Sequence, residues 1–423
     1  MITQKTRQKA EIQYSLLTDC LLIHNDAICR LWGEFSDVWR IAALQIADKM
    51  TTLGGKRRRV SMKRRTFLQT GSALIAAGAF GIPGILRAED TITLLPDTWP
   101  SEGENPVVDA GKFAKSGPWK IGHSHYGLAG STHTYQTAFE AEYEISRNKA
   151  RVGDYQFRSA DLNASKQVAD IEDLIAQKVD AIIIAPLTTG SAVEGIRKAK
   201  AAGIPTVVYL GRVDTDEFTV QVQGDDFYFG RVMAQFLVDK LGNKGKVWVL
   251  RGVAGHPIDA DRYAGAIEVF SKSGLQITST QHGSWSYEDS KKIAESLYLS
   301  DPDVAGVWTD GANMSLGVLD ALQEAGASTI PPITGEALNG WMRRWNDEKL
   351  SSIGPICPPA LSTAALRAAF ALLEGKPIQR NWTNRPKPIV DDNLAQFYRS
   401  DLTDAYWAPT EMPNEKLLEY FKA

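Results

Sequence analysis

The chain has 423 residues, 43% of them apolar, which is enough to build two or three domains with real cores. A formal charge of -3 excludes the basic domain or stripe that a nucleic-acid binder carries. Of the three cysteines, Cys20, Cys29 and Cys357, only the last lies outside the N-terminal region discussed next, so no disulfide framework holds the remainder.

Arg64-Arg65-Thr66-Phe67-Leu68, followed by the weakly apolar, Gly/Ala-rich stretch Thr70 to Leu86, resembles a twin-arginine export signal. Pro83 and the modest length of that stretch argue against a membrane-spanning helix. Residues 62–88 are expected to be the signal, cut after Ala88, with Met62 as initiator and residues 1–61 a mis-assigned extension. Residues 89–117 are rich in Pro, Gly, Asp and Ser and read as an extended leader.

From Trp119 short β-type runs alternate with amphipathic segments. Lys120–Ser124 reads as a strand, Thr134–Lys149 as a helix and Val152–Ser159 as a weaker strand. Asn163 precedes a helix whose Val168, Ile171, Leu174 and Ile175 share one face. The continuous apolar run Ala181–Ala185, ended by Pro186, is a strand buried on both faces. Helix Ser191–Ala202, with Gly203 past its end, leads to strand Thr206–Leu210. After Gly224 the alternation resumes. Helices are expected over Phe229–Leu241, Asp261–Ser273, Ser286–Ser300 and Ser315–Ala325, and strands over Lys246–Leu250, Leu275–Gln281, Val304–Thr309 and Pro332–Gly335. Such alternation means parallel sheets with right-handed crossovers, here in two doubly wound lobes. More than eight strands and the break at Gly224-Asp225-Asp226 argue against a closed eight-fold barrel.

Val179-Asp180-Ala181-Ile182-Ile183-Ile184-Ala185-Pro186, Ala202-Gly203-Ile204-Pro205, Gly252-Val253-Ala254-Gly255 with Asp261-Arg262, Val307-Trp308-Thr309-Asp310, and Leu372-Leu373-Glu374-Gly375-Lys376-Pro377 follow one another in an order that resembles ribose-type (type I) periplasmic sugar-binding proteins of ABC importers. The resemblance covers about Trp119 to Ile389. It implies an α/β fold of two doubly wound parallel-sheet lobes joined by a three-crossing hinge. The N-terminal lobe would comprise 118–224 plus 357–385, the C-terminal lobe 225–356 plus 386–400, and a tail 401–423. It further implies a non-enzymatic monomer in the periplasm that captures a small carbohydrate between its lobes and hands it to a membrane permease. No cofactor, catalytic group or nucleic acid is implied, and the twin-arginine translocase is the export partner.

Ligand contacts in such a fold come from loops at the carboxyl ends of strands. Those loops offer Tyr126, Thr132 and His133, then Arg212, the crossing carboxylate Asp225, the aromatic Trp285, and Asp310, Asn313 and Glu336. The chain departs from the resembled pattern at Ala260, where the family has a ligand arginine, and at Gly311, Ala337 and Pro355. The cargo is therefore expected to be a small polyol, a modified sugar or a compact sugar-derived signal rather than ribose. Arg262 is expected to be a structural ion-pair partner. Two rival readings start from the histidines. His123, His125 and His133 could serve a metal, although no carboxylate or thiol sits at metal spacing. Gly122-His123-Ser124-His125-Tyr126-Gly127 misses the nucleophile-elbow spacing of a hydrolase by one residue.

Overall fold

The computed structural model describes residues 92–128 and 131–423. The export signal, its cleavage point and the extension before Met62 lie outside the described residues. Among the described residues no helix is long and apolar enough to cross a membrane.

The chain opens with β1 (Thr98–Pro100), β2 (Val107–Val108) and a short 3-10 turn (Ala110–Phe113). It continues through β3 (Trp119–His125), α1 (Thr132–Arg147), β4 (Val152–Ser159), α2 (Ala164–Ala176), β5 (Ala181–Ala185), α3 (Val193–Ala201), β6 (Thr206–Tyr209) and β7 (Val220–Gly224). The next stretch is α4 (Asp226–Lys240), β8 (Gly245–Arg251), α5 (Pro257–Phe270), β9 (Leu275–His282), α6 (Tyr287–Ser300), β10 (Gly306–Thr309), α7 (Ala312–Glu324) and α8 (Asn339–Glu348). It closes with α9 (Leu361–Leu373), β11 (Ile378–Gln379), β12 (Asn381–Asn384), α10 (Leu394–Phe397) and α11 (Asn414–Phe421).

Two sheets result. The first runs β1-β12-β7-β6-β5-β3-β4, parallel except for β1, which pairs antiparallel to β12. The second runs β10-β8-β9, all parallel, and is widened by a parallel bridge from Val307 to Ile333. The chain passes from one sheet's layers to the other's after Gly224, between Gly354 and Leu361, and after Asn384. This is the α/β fold of two doubly wound lobes with a three-crossing hinge.

Each lobe closes over a dry centre. All five residues of β5 are buried, as an inner strand of a parallel sheet requires. In α9 every residue except Arg367 is buried, so the mostly apolar helix is covered all round and forms the spine of the N-terminal lobe. Arg367 keeps its charge by pairing with Glu144 and Glu411 and donating to the Leu94 carbonyl at 2.6 Å. The C-terminal lobe is built around Trp248, Trp341 and Trp345, all but fully buried. Burying each such side chain contributes on the order of 1.5–3 kcal/mol.

Local chemistry accounts for most shifts from the expected bounds. Helix α4 starts at Asp226 rather than Phe229 because the Asp225 carboxylate caps it, accepting from the Tyr228 N–H at 2.9 Å. Helix α5 starts at Pro257 rather than Asp261, with Pro at its first position and His256 as cap. Helix α3 starts late because the Ser191 hydroxyl is engaged with Gln167 and Thr188. The run Pro332–Gly335 makes a single bridge rather than a strand.

The leader is more tied down than its composition implies. Leu94 and Leu95 are buried, and the Asn384 side chain donates to the carbonyls of Pro96 and Asp97 while β1 pairs with β12.

Candidate functional site

The carboxyl ends of the parallel strands in both lobes face one cleft. Tyr126 follows β3, Ser131 caps α1, and His133 and Thr134 occupy the first turn of α1. Leu210 follows β6. From the other lobe come Ile258 and Arg262 on α5, Trp285 between β9 and α6, Gly311 to Asn313 after β10, and Glu336 after the bridge at Ile333. Cys357 on a hinge crossing and Trp407 from the C-terminal tail complete the lining. The lining borders about 490 Å³ of empty space, a figure that includes the part open to solvent.

Aromatic rings form a wall that passes from one lobe to the other. His125 stacks on Tyr126 with centroids 4.4 Å apart, Tyr126 meets the edge of His256 at 5.1 Å, and His256 meets Trp285 at 5.0 Å. Trp285 adopts the left-handed backbone conformation, an uncommon one for a bulky residue. It is held there by its indole N–H, which donates to the Asp310 carbonyl at 2.9 Å and to its carboxylate at 3.1 Å. Gly252 permits this placement, since a Cβ there would lie 2.4 Å from the Trp285 ring.

The floor of the C-terminal side is an ionic cluster. Arg262, 3% exposed, reaches Asp226 at 2.9 Å, Asp310 at 3.3 Å and Glu336 at 3.5 Å. Its guanidinium lies 3.6 Å from the Phe229 ring centroid. Burial opposes the Arg262 charge, but three carboxylates outweigh it and keep the group protonated. Three carboxylates facing one cation leave an excess of negative charge. Burial drives the Asp226 carboxyl up to about 6 and the Glu336 carboxyl up to about 7, with Arg262 pulling both back, and pushes Asp310 well above the usual range. The imidazoles go the opposite way. Burial lowers His133 to about 4, and His125 and His256 to about 3, so all three are neutral at pH 7. His133 donates through Nε2 to the Cys357 carbonyl at 2.9 Å, which fixes its tautomer.

The site residues expected from sequence separate into two groups. Tyr126, His133, Trp285, Asn313 and Glu336 line the cleft, and Asp310 sits directly beneath Trp285 and Arg262. Thr132 stands beside it, accepting the Trp407 indole N–H at 2.8 Å. Arg212 and Asp225 stand apart from this lining. Arg212 is nearly half exposed and pairs with Asp261 of the opposite lobe at 3.1 Å, at the rim. Asp225 is consumed as the α4 cap and in a pair with Arg385, so it serves the hinge.

Arg262, expected as an ion-pair partner, is that and also a wall of the cavity. Ser131, Thr134, Leu210, Ile258, Cys357 and Trp407 are among the lining residues that sequence reasoning missed. Trp407 gave no local signal, because it lies 275 positions from Thr132 in the chain. Of the early histidines, His123 places its ring between the Tyr155 hydroxyl, at 2.6 Å, and the Tyr209 hydroxyl. Among the described residues no group of three or more His, Cys, Asp or Glu side chains is placed to hold a metal ion.

Residues 128–377 match the family described as periplasmic binding protein domain. Among curated proteins, the ribose import binding protein of Bacillus subtilis (strain 168) is 29% identical over 218 residues, covering 52% of this chain and 71% of its own. The xylitol-binding protein of Mycolicibacterium smegmatis is 26% identical over 240 residues, covering 56% of this chain and 69% of its own. Among solved structures, the periplasmic component of the arabinose ABC transporter from Shewanella sp. ANA-3 superposes with a TM-score of 0.62 at 24% identity, covering 66% of this chain and 93% of its own. That likeness bears on the fold.

Proposed function

The chain belongs to the periplasmic binding protein family, and from that premise we propose that it captures a compact, neutral carbohydrate or polyol between its lobes. The observation that carries this reading is the composition of the cleft. Tyr126 and Trp285 present flat apolar faces, one from each lobe, while Arg262, Glu336, Asn313 and His133 present hydrogen-bonding groups around them. A sugar has both kinds of surface, C–H faces and hydroxyls. Each buried polar group that a wrong ligand leaves unpaired costs about 1–3 kcal/mol, which is how such a cleft selects. The surplus of carboxylates over guanidinium disfavours sugar acids and phosphates.

Ligand contacts from both lobes favour the closed state, and a population shift toward closure is the signal a permease reads. In this reading the protein is a non-enzymatic, monomeric component of an ABC importer. It reaches the periplasm by the twin-arginine route with its signal removed after Ala88. Support for that part comes from the Arg64-Arg65 motif and from relatives named as import binding proteins.

A thermal-shift screen of residues 89–423 against neutral sugars, polyols, sugar acids and amino acids tests the proposal. A ligand at a thousand-fold excess over its Kd adds about 4 kcal/mol to native stability. A selective rise in melting temperature with one neutral carbohydrate or polyol is expected. A response confined to amino acids or acids overturns it.

A further inference from the structure

The chain after Ser400 is gripped by both lobes, and the matched family span ends well before it, at residue 377. On the C-terminal lobe the grip is continuous. Buried Asn339 donates its side-chain amide to the carbonyls of Leu402 at 2.9 Å and Thr403 at 3.1 Å. The Asn339 and Gly340 N–H groups donate to the carbonyls of Tyr406 at 2.8 Å and Asp404 at 3.1 Å, and Ala408 N–H to Ala337 at 2.9 Å.

On the N-terminal lobe the partners recur one helical turn apart along α1, as positions on one face do. Thr132 accepts the Trp407 indole N–H. Gln136, fully buried, exchanges two bonds with the Trp407 backbone, donating to its carbonyl and accepting from its N–H, each at 2.8 Å. Glu140, also fully buried, accepts from the Thr410 hydroxyl and from the Glu411 N–H at 3.2 Å. Phe139 stacks on Tyr420 with centroids 4.3 Å apart.

Buried Gln136 and Glu140 find these partners only when the tail is docked, and a polar group stripped of its partner in the interior is costly. The tail cannot leave α1 without that cost, nor can the C-terminal lobe swing away without taking the tail with it. We propose that residues 406–421 form a latch, carried on the C-terminal lobe and docked on α1 of the N-terminal lobe, that resists separation of the lobes and so weights their open–closed equilibrium toward closure. The same docking brings Trp407 into the cavity, where its ring meets His133 edge-on at 5.2 Å. The latch thus also sets the size of the space that a cargo fills. That last consequence rests on the proposed carbohydrate-binding reading, whereas the latch itself does not.

The test uses the full chain with no sugar present, so it separates the latch from the ligand assignment. Spin labels are placed at Lys200→Cys and Lys272→Cys, exposed positions in the N- and C-terminal lobes, in a background with Cys20→Ser and Cys29→Ser. Pulsed dipolar spectroscopy then reads the interlobe distance. The parent sets the reference ratio of long to short distances. Combining Gln136→Ala with Thr132→Val should raise the ratio of long to short distances by about tenfold or more, as loss of two or three hydrogen bonds implies, with an unchanged far-UV spectrum. An unchanged distribution in the variant overturns the latch. If Gln136→Ala does not fold, Thr132→Val and Trp407→Phe each remove the Trp407–Thr132 bond alone. A smaller rise in the long-distance population supports the latch in that case, and no rise overturns it.

Discussion

Arg262 donates through Nε to Asp226 at 2.9 Å, and this contact joins the middle of α5 to the first residue of α4, just past the Gly224 crossing. The guanidinium that lines the cavity therefore also fixes one strand of the hinge. Removing it leaves Asp226, Asp310 and Glu336 together without a cation. Arg262→Ala is expected to cost about 3–5 kcal/mol, the range for breaking a buried pair from one side. Arg262→Lys should recover only part of this, because a point-like ammonium cannot fork to carboxylates on three elements. Urea unfolding midpoints of the three proteins check both statements.

The pH dependence of stability follows from this cluster, from Glu140 under the tail and from the buried imidazoles, with opposite signs for acids and bases. Glu336 at about 7, Asp226 at about 6 and Glu140 at about 7 all titrate above their unfolded values. Their contribution is complete below the unfolded carboxyl range and is lost as pH rises through 6–7. His125, His133 and His256 titrate at about 3, 4 and 3, below their unfolded values. Their neutral burial costs nothing at pH 7 and becomes unfavourable as pH falls below the unfolded histidine range. The melting temperature should therefore peak near pH 6–6.5 and decline on either side. Each unmatched proton contributes about 1.4 kcal/mol per pH unit. A plateau from pH 6 to 8 would argue that the carboxylates are not desolvated together.

Gly252 is a sensitive probe of Trp285. Its added Cβ would meet the indole at 2.4 Å and the Asp310 carboxylate at 2.5 Å, neither of which is a free end. Gly252→Ala should cost about 1–3 kcal/mol by overpacking and weaken ligand binding more than it weakens the fold. Calorimetric Kd values set beside melting temperatures resolve the two effects.

Cys357 is 5% exposed on a hinge crossing, and burial pushes its thiol well above the ordinary range. Its modification by a thiol reagent at pH 8 should follow opening of the fold and speed up in denaturant in step with unfolding. Peptide mass mapping of Cys357 reads this without interference from Cys20 and Cys29. Rapid labelling of the native protein would contradict it.

The parts of the fold legible in the sequence were those whose chemistry is local. The apolar run of β5 and the 3.6-residue stripe of α2 announce themselves within a window of a few residues. Strand β7 alternates Val220-Gln221-Val222-Gln223, yet it and the polar β12 escape a reading keyed to apolar runs, because their register comes from neighbouring strands. At the site, Tyr126, Trp285, Asn313 and Glu336 could be placed because each follows a strand. The places of Arg262 and Trp407 in the cavity wall could not. The carboxylates of Arg262 lie 36, 48 and 74 positions away, and Trp407 arrives by a tail that crosses between lobes. The engagement of Arg212 in a rim pair and of Asp225 as a helix cap was not legible, because a charged residue on a loop is equally suited to either.

The most direct test of the account is a calorimetric titration of residues 89–423 with the neutral carbohydrate or polyol selected by the thermal screen, run in parallel on Trp285→Ala. Saturable one-site binding is expected, weakening by at least about tenfold when the Trp285 ring is removed, the loss expected of a buried anchor residue. Equal affinity in the two proteins, or binding only of an amino acid or an anion, would contradict carbohydrate capture in this cleft.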